Sequence, residues 1–285
     1  MVLYAMDPAP FLTIGPADPV SPVIVSVPHA GRYYPPALAA LVSVPPDRLV
    51  ALEDRHVDAV AQAAVRDETM LVATHARAWI DLNRSPADDR DPAIDAGAPP
   101  PFGSRSDKVR SGIGLIPRRA GGAENMWRRK LTDAEVRDRI DQVHAPYHAA
   151  LAALLAAAHA RFGVAVLLDL HSMPPLTGFD PAAVVLGDRF GRSCPGHLTA
   201  RAAAAVQRHG LSLAIDRPYA GGHILDAHAA PRAGIHALQL EIDRSLYLDP
   251  ALDRPGEGLA RTAAMVRSVI DTLAAAVTHT AAAAE

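Results

Sequence analysis

The stretch VAVLLDLHSMPP, Val164 to Pro175, decides the fold. Its opening residues, Val164 to Leu170, form a near-continuous apolar run. A half-exposed strand would alternate with polar residues, so the run predicts a strand buried on both faces, as in a parallel sheet covered by helices. Asp169 and His171 break the pattern. Side chains two apart on a strand project to the same face, so these two point together at whatever the strand end faces. A buried carboxylate beside a histidine is costly unless the pair is hydrogen-bonded or linked to a metal, and the strand end therefore reads as a chemical site.

Working outward, short β-branched runs at Val23 to Val27, Met70 to Thr74, Trp79 to Leu82, Ala183 to Leu186, Leu211 to Ile215 and Ala237 to Ile242 predict further strands. Helical patterns cover Val57 to Asp67, Thr132 to Arg161, Leu198 to Arg208 and Gly258 to Ala275. This alternation predicts an α/β fold, a single domain over about residues 12–278 with a mixed central β-sheet flanked by helices. Thr132 and Glu135 make a capping box that marks a helix start, and Pro146 is expected to kink or split that helix. From Ser85 to Arg129 the pattern stops, and Pro, Gly, Asp and Arg dominate. An irregular stretch of this length (85–129) is either a mobile insertion or a loop that packs over the active site and supplies substrate contacts.

Composition narrows the function classes. The chain has 285 residues, 28 Lys plus Arg against 31 Asp plus Glu, a formal net charge of -3, and 49% hydrophobic residues. A near-balanced charge disfavours nucleic acid or another polyanion as partner. The one cysteine forbids an internal disulfide and Cys-based zinc fingers or iron–sulfur clusters, and it fits a cytoplasmic setting. Met1 to Pro10 lacks the features of a signal peptide, and the Ala- and Leu-only run Ala149 to Ala158 is well short of the roughly 20 residues that span a bilayer, so no membrane role is expected. Lys108 and Lys130 are the only lysines; the arginine excess reflects either a GC-rich genome or a site that grips carboxylates with guanidinium forks.

Four segments sit where α/β enzymes keep their sites, at strand ends and the loops after them. PHAG, Pro28 to Gly31, follows the first apolar run, with His29 at the strand tip and Gly31 expected to let the backbone turn away. EDRHVDAV, Glu53 to Val60, opens a helix, so Asp54 and Asp58 would share a face; Glu53 or Asp54 can equally be its N-cap. The third is LLDLHSMPP. In HALQLEID, His236 to Asp243, Leu238, Leu240 and Ile242 share one face, leaving Gln239, Glu241 and Asp243 on the other, which meets solvent or a polar cleft where Glu241 can act as a base. Two histidines and a carboxylate from separate strand ends match the ligand set of a catalytic zinc with an open position for water. Such a zinc acidifies that water and polarises a carbonyl, while a nearby Glu shuttles the proton to a leaving amine. Arg84, in DLNR after Trp79, can hold an oxyanion or a substrate carboxylate.

PHAG, ED-x-H-x-D (Glu53 to Asp58), IDLNR (Ile80 to Arg84), LDLHSMP, GDRFGRSC (Gly187 to Cys194), PYAGGHI (Pro218 to Ile224) and HALQLEIDRSLYLD (His236 to Asp249) resemble, in order and spacing, the N-formylglutamate amidohydrolases, the deformylases of histidine degradation. The resemblance runs from about residue 22 to residue 250. It implies the phosphorylase/hydrolase-like α/β fold related to the zinc carboxypeptidases and aspartoacylases. It also implies one Zn2+ per chain and hydrolysis of N-formyl-L-glutamate, or a similar N-formyl or N-acyl amino acid, to the free amino acid and formate. By the same resemblance His29 and His171 are zinc ligands with Asp54 as the carboxylate. Zinc carboxypeptidases place their carboxylate three residues after the first His, where this chain has Arg32. That departure leaves Glu53 and His56 as rivals of Asp54. Glu241 matches the general base, and Asn83 with Arg84 matches the pair that contacts substrate and oxyanion. His223 and Arg110 are further substrate-contact candidates, as are Arg105 and Arg118. The chain also departs from the family at SPADDRDP (Ser85 to Pro92), at VRSGIGLIPR (Val109 to Arg118) and at His223. A carboxypeptidase-like or other N-acyl amino acid hydrolase, and a non-catalytic metal-binding relative, are the alternatives.

Cys194 lacks an activating neighbour and reads as a buried small residue. His144, His148 and His159 read as surface or packing residues of an Ala-rich helix. The Gly-rich stretches match no phosphate-binding or dinucleotide motif, which disfavours nucleotide cofactors.

Overall fold

In the computed structural model the central apolar run becomes one strand of a mixed seven-stranded sheet. The strands are β1 (Phe11–Ile14), β2 (Val23–Val27), β3 (Thr69–Ala73), β4 (Ala165–Met173), β5 (Val184–Gly187), β6 (Leu213–Ile215) and β7 (Ile235–Asp243). Their order across the sheet is β1-β3-β2-β4-β7-β5-β6. The structure describes residues 7–99 and 106–282. Pairs β2·β3, β2·β4 and β4·β7 are parallel, as is β5·β6, while β5 runs antiparallel to β7. All nine residues of β4 and all five of β2 and of β3 are buried, as expected of parallel strands covered on both faces.

The register carries the chemistry. Ser26 on β2 lies opposite Asp169 on β4, and β4 in turn sets Asp169 opposite Gln239 and His171 opposite Glu241 on β7. Aligned residues of paired strands share a face. The polar face that the alternation of HALQLEID predicted is therefore buried beside Asp169 and His171, with Glu241 8% exposed.

The described residues gather into two units interleaved along the chain. Residues 13–27, 54–72 and 150–282 form the sheet unit, and residues 7–12, 28–53, 73–99 and 106–149 form the other. In the sheet unit the helices Val57–Ala64, Gly196–Gln207 and Leu259–Ala282 bury apolar stripes that include Val57, Val60, Leu198, Val206, Val266 and Ile270. Among the described residues no helix is long and apolar enough to cross a membrane.

In the second unit the Thr132–Glu135 capping box forms, with each side chain bonded to the other's backbone. At Pro146 the helical run is divided without a gap: a π turn, Ile140–His144, joins Asp133–Arg139 to Ala145–Phe162. Proline lacks the N–H that would close the ordinary turn and its ring crowds the carbonyl four residues back, which favours the wider turn. The described part of 85–129 is folded, with Ile94, Leu115, Ile116, Met126 and Trp127 buried. Arg90 clasps Asp95 through two nitrogens at 2.6 and 2.9 Å, and Trp127 Nε1 donates to the carbonyl of Pro117 at 2.8 Å.

Two expectations change, and one strand goes unforeseen. Trp79 to Leu82 is a series of turns, because Asp81 accepts the N–H of Asn83 at 2.9 Å and this local bond replaces a strand ladder. The helix after Glu53 starts only at Val57, since His56 adopts a left-handed φ of 56°. Asp54 thus shares no helical face with Asp58, and neither Glu53 nor Asp54 is the N-cap. Strand β1, four residues half-exposed at a sheet edge, is too short to stand out in the sequence.

Candidate active site

In the sheet unit, β4 aims His171 between two carboxylates. Its Nδ1 lies 3.0 Å from Asp54 Oδ2 and its Nε2 lies 2.9 Å from Asp169 Oδ2. Asp169 is fully buried and its other oxygen accepts the Ser26 hydroxyl at 2.8 Å. Asp54 Oδ2 also accepts the N–H of Ser172 at 3.1 Å, and Oδ1 meets Arg244 Nη2 at 3.2 Å. The turn that carries Asp54 is pinned in turn, with Tyr247 donating its hydroxyl to the Arg55 carbonyl at 2.7 Å and Arg55 Nε bonding Asp253 at 2.7 Å. Glu241 accepts from Gln239 Nε2 at 3.0 Å. Burial opposes a charged imidazole, but the carboxylates of Asp169, Asp54 and Glu241 outweigh it and hold His171 well above its ordinary pKa.

In the second unit, His29 is 2% exposed and its Nε2 pairs with Asp81 Oδ1 at 2.7 Å. Asp81 also accepts Arg77 Nε at 2.7 Å on its other oxygen, and Arg84 Nε stands 3.8 Å from that oxygen. Burial pushes this carboxyl up, but Arg77, Arg84 and His29 prevail and keep it well below the usual range. Asn83 and Arg84 are both 5% exposed. Arg84 Nε donates to the Ile113 carbonyl at 2.8 Å and Nη1 to the Asn83 carbonyl at 2.6 Å. The backbone turns at residues 28–29, and Gly31 just beyond allows a close approach: its φ is not positive, but a Cβ there would lie 2.0 Å from the His75 carbonyl oxygen.

The structure thus brings Asp54, Asp169, His171, Gln239 and Glu241 together within the sheet unit, and His29, Asp81, Asn83 and Arg84 within the other. Glu53 is buried and accepts the Tyr34 hydroxyl at 2.5 Å, while His56 is half-buried at the start of its helix. His223 is half-buried and opens the helix His223–His228. Arg110 is exposed and ion-paired with Asp107. Arg118 bonds Asp91 at 3.1 Å, and Arg105 lies outside the described residues. Burial pushes the Cys194 thiol up to about 12, which removes it as a nucleophile. Sequence reasoning missed Asp81 and Arg244. Both stand inside quoted motifs, so the available signal was a charged residue that each motif left without a role.

The family model described as N-formylglutamate amidohydrolase matches residues 21–248. The chain belongs to the N-formylglutamate amidohydrolase family. All seven quoted motifs lie in that span but for the final Asp249. Among curated relatives, the N-formylglutamate deformylase of Pseudomonas aeruginosa is 31% identical over 265 residues, covering 89% of this chain and 93% of the relative. That of Pseudomonas putida is 30% identical over 237 residues, covering 80% and 82%. Among solved structures, the N-formylglutamate amidohydrolase of Ralstonia eutropha JMP134 is 35% identical and aligns with a TM-score of 0.83, over 95% of this chain and 98% of that one. The α/β fold expected from the sequence is the fold of this family.

Proposed function

We propose that the chain is a cytoplasmic enzyme of histidine degradation that hydrolyses N-formyl-L-glutamate to glutamate and formate, with one zinc ion held by His29, Asp54 and His171. The observation that carries the reading is His171, set between Asp54 and Asp169 with Glu241 opposite it in register. His29, Asp54 and His171 are each buried and each offer one ligand atom, which is consistent with a metal site. The donor set fits: two imidazoles and a carboxylate are a set zinc takes. Asp54, Asp169 and Glu241 gather around His171, and a divalent cation taking the place of the imidazole proton would offset their buried negative charge. Each histidine gives Nε2 to a carboxylate, Asp81 or Asp169, so Nδ1 is the atom with which each would take the ion. The family match runs through both units, in support of one catalytic domain over residues 12–278.

When bound, the metal supplies Lewis-acid polarisation of the amide carbonyl and acidifies water. Glu241 takes the proton of the water that adds to the formyl carbon, then hands it to the leaving nitrogen of glutamate. Arg84 and Asn83 donate to the developing oxyanion or to a substrate carboxylate, and His223 and Arg110 supply further substrate contacts, Arg110 only after parting from Asp107.

The deciding experiment follows glutamate and formate release from N-formyl-L-glutamate by chelator-stripped protein, with and without one equivalent of zinc. Zinc-dependent release is expected. Glu241→Gln should keep its zinc and lose turnover by about 10²–10⁴-fold. A stoichiometrically loaded wild type that releases nothing sinks the substrate assignment, and a fully active Glu241→Gln sinks the base.

A further inference from the structure

His144 and His148, which the sequence pattern gives to surface or packing, meet the DLNR turn. They stand four apart, at the end of the π turn and on the helix that follows it, and so share one helical face. Their rings stack with centroids 4.3 Å apart and planes 20° from parallel. His144 Nε2 lies 2.9 Å from the carbonyl oxygen of Arg84, and His148 Nε2 lies 2.8 Å from that of Leu82. A carbonyl only accepts, so Nε2 is the protonated nitrogen in both rings. The two bonds fall on either side of Asn83, whose own N–H goes to Asp81. The main chain from which Asn83 and Arg84 project is therefore tied at three consecutive residues.

Packing alone does not call for this arrangement. An Ala- and Leu-rich helix could fill the same space with apolar side chains, whereas an imidazole as buried as His144, with His148 half-buried against it, is costly unless its polar atoms are used. Both rings are used on one short turn. The π turn that Pro146 favours ends at His144, so the departure from the regular helix falls where that ring is delivered.

We propose that His144 and His148 are positioning residues for the reaction: by holding the carbonyls of Arg84 and Leu82 they set the aim of the Asn83–Arg84 pair at the substrate. This rests on the amidohydrolase reading given above. Neither ring touches the reacting atoms in this assignment; each acts through the main chain of DLNR. A displacement of about 1 Å at a group that meets the transition state can cost about 100-fold in rate, so a weak-looking bond to a carbonyl can matter.

The test separates ring volume from the donor. His144→Phe and His148→Phe keep an aromatic ring and remove the N–H, while His144→Gln and His148→Gln keep an N–H donor of similar reach. On zinc-loaded protein with N-formyl-L-glutamate, each Phe variant is expected to lower kcat/KM by about 10–100-fold, mostly in kcat, with the Gln variant recovering most of the loss. In a background that carries both Asn83→Ala and Arg84→Ala the Phe changes should have little further effect, because the groups they aim are gone. Phe variants with wild-type kcat and KM overturn the proposal, as does a loss that persists undiminished beside Asn83→Ala with Arg84→Ala. Failure of the underlying reading is seen separately, as absence of turnover by the wild-type protein.

Discussion

Replacing Arg267 by Met should be among the most damaging single changes away from the proposed metal ligands. Arg267, on the helix Leu259–Ala282, meets Glu68 at the entry to β3 through two bonds, Nη1 to Oε2 at 2.7 Å and Nη2 to Oε1 at 2.8 Å. The residues are 9% and 6% exposed, and Nη1 also donates to the carbonyl of Ala64 at 3.2 Å, at the end of the helix that follows Asp54. Without the guanidinium, Glu68 keeps the N–H of Arg66 at 3.0 Å, and its charge is left buried. Breaking such a pair costs about 3–5 kcal/mol, most of it from the stranded charge. At roughly 2–4 °C per kcal/mol for a chain of this size, the melting temperature should fall by about 6–20 °C. Removing the charge as well, in Glu68→Leu with Arg267→Met, should recover much of that loss, since no buried charge is stranded, while the Arg66 N–H, the Ala64 carbonyl and the exposed Asp271 give up their bonds to the pair. Burial raises the Glu68 carboxyl, but the hydrogen bonds and charge of Arg267, with the Arg66 N–H, bring it below its ordinary value. The pair's contribution is therefore full above the ordinary carboxylate range and is lost as pH falls through the lowered value. The gap between wild type and the double variant should narrow below about pH 4. Thermal melts of the four proteins across pH decide the matter. An Arg267→Met that loses less than about 1 kcal/mol, or a double variant as unstable as the sum of the singles, refutes the reasoning.

Other perturbations bear on the site itself. Asp81→Asn keeps the shape but loses the charge that orients His29, and zinc affinity measured by chelator competition should drop about 10–100-fold; an affinity within twofold of wild type contradicts that role. Gly31→Ala sets a methyl 2.0 Å from the His75 carbonyl oxygen, so the destabilisation should exceed about 4 kcal/mol in denaturant melts. A well-folded, fully stable Gly31→Ala would show that the approach of PHAG to residues 74–76 is not required. Cys194 should resist iodoacetamide in the native state at pH 8 and label fully once unfolded, because a buried thiol near 12 is roughly 10⁻⁴ ionised there; rapid native labelling would contradict its burial.

How much of this is legible in the sequence depends on the range over which each interaction acts. The apolar run around Leu167 and the alternation of HALQLEID are local signals. They suffice to place β4 and β7, to set Asp169 and His171 on one face, and to put Glu241 on the polar side of its strand. The Thr132–Glu135 box is equally local and forms as read. Asp81 serves His29 from 52 positions away, and Arg244 serves Asp54 from 190 away; such pairings leave no trace in spacing. His144 and His148 look inert because helical periodicity reports which face is apolar, and their partners are main-chain carbonyls with no residue identity to read. Trp79 to Leu82 has the composition of a strand, and a single Asp side chain bonding back to its own turn overrides it.

The sheet order has a consequence for how the chain folds as it is made. Strand β7 is the last to leave the ribosome and yet sits inside the sheet, flanked by β4 and β5. Until it arrives, β4 lacks its partner on one side and β5 its link to the rest, so the order β1-β3-β2-β4 is parted from β5-β6. Roughly 60 residues separate β4 from β7, several seconds of synthesis at roughly 5–20 residues per second. Throughout that interval the unpaired edge of LLDLHSM is the nascent chain's most exposed template for wrong pairing. The sheet is thus completed only once β7 is present, and the same pairing brings Glu241 opposite His171.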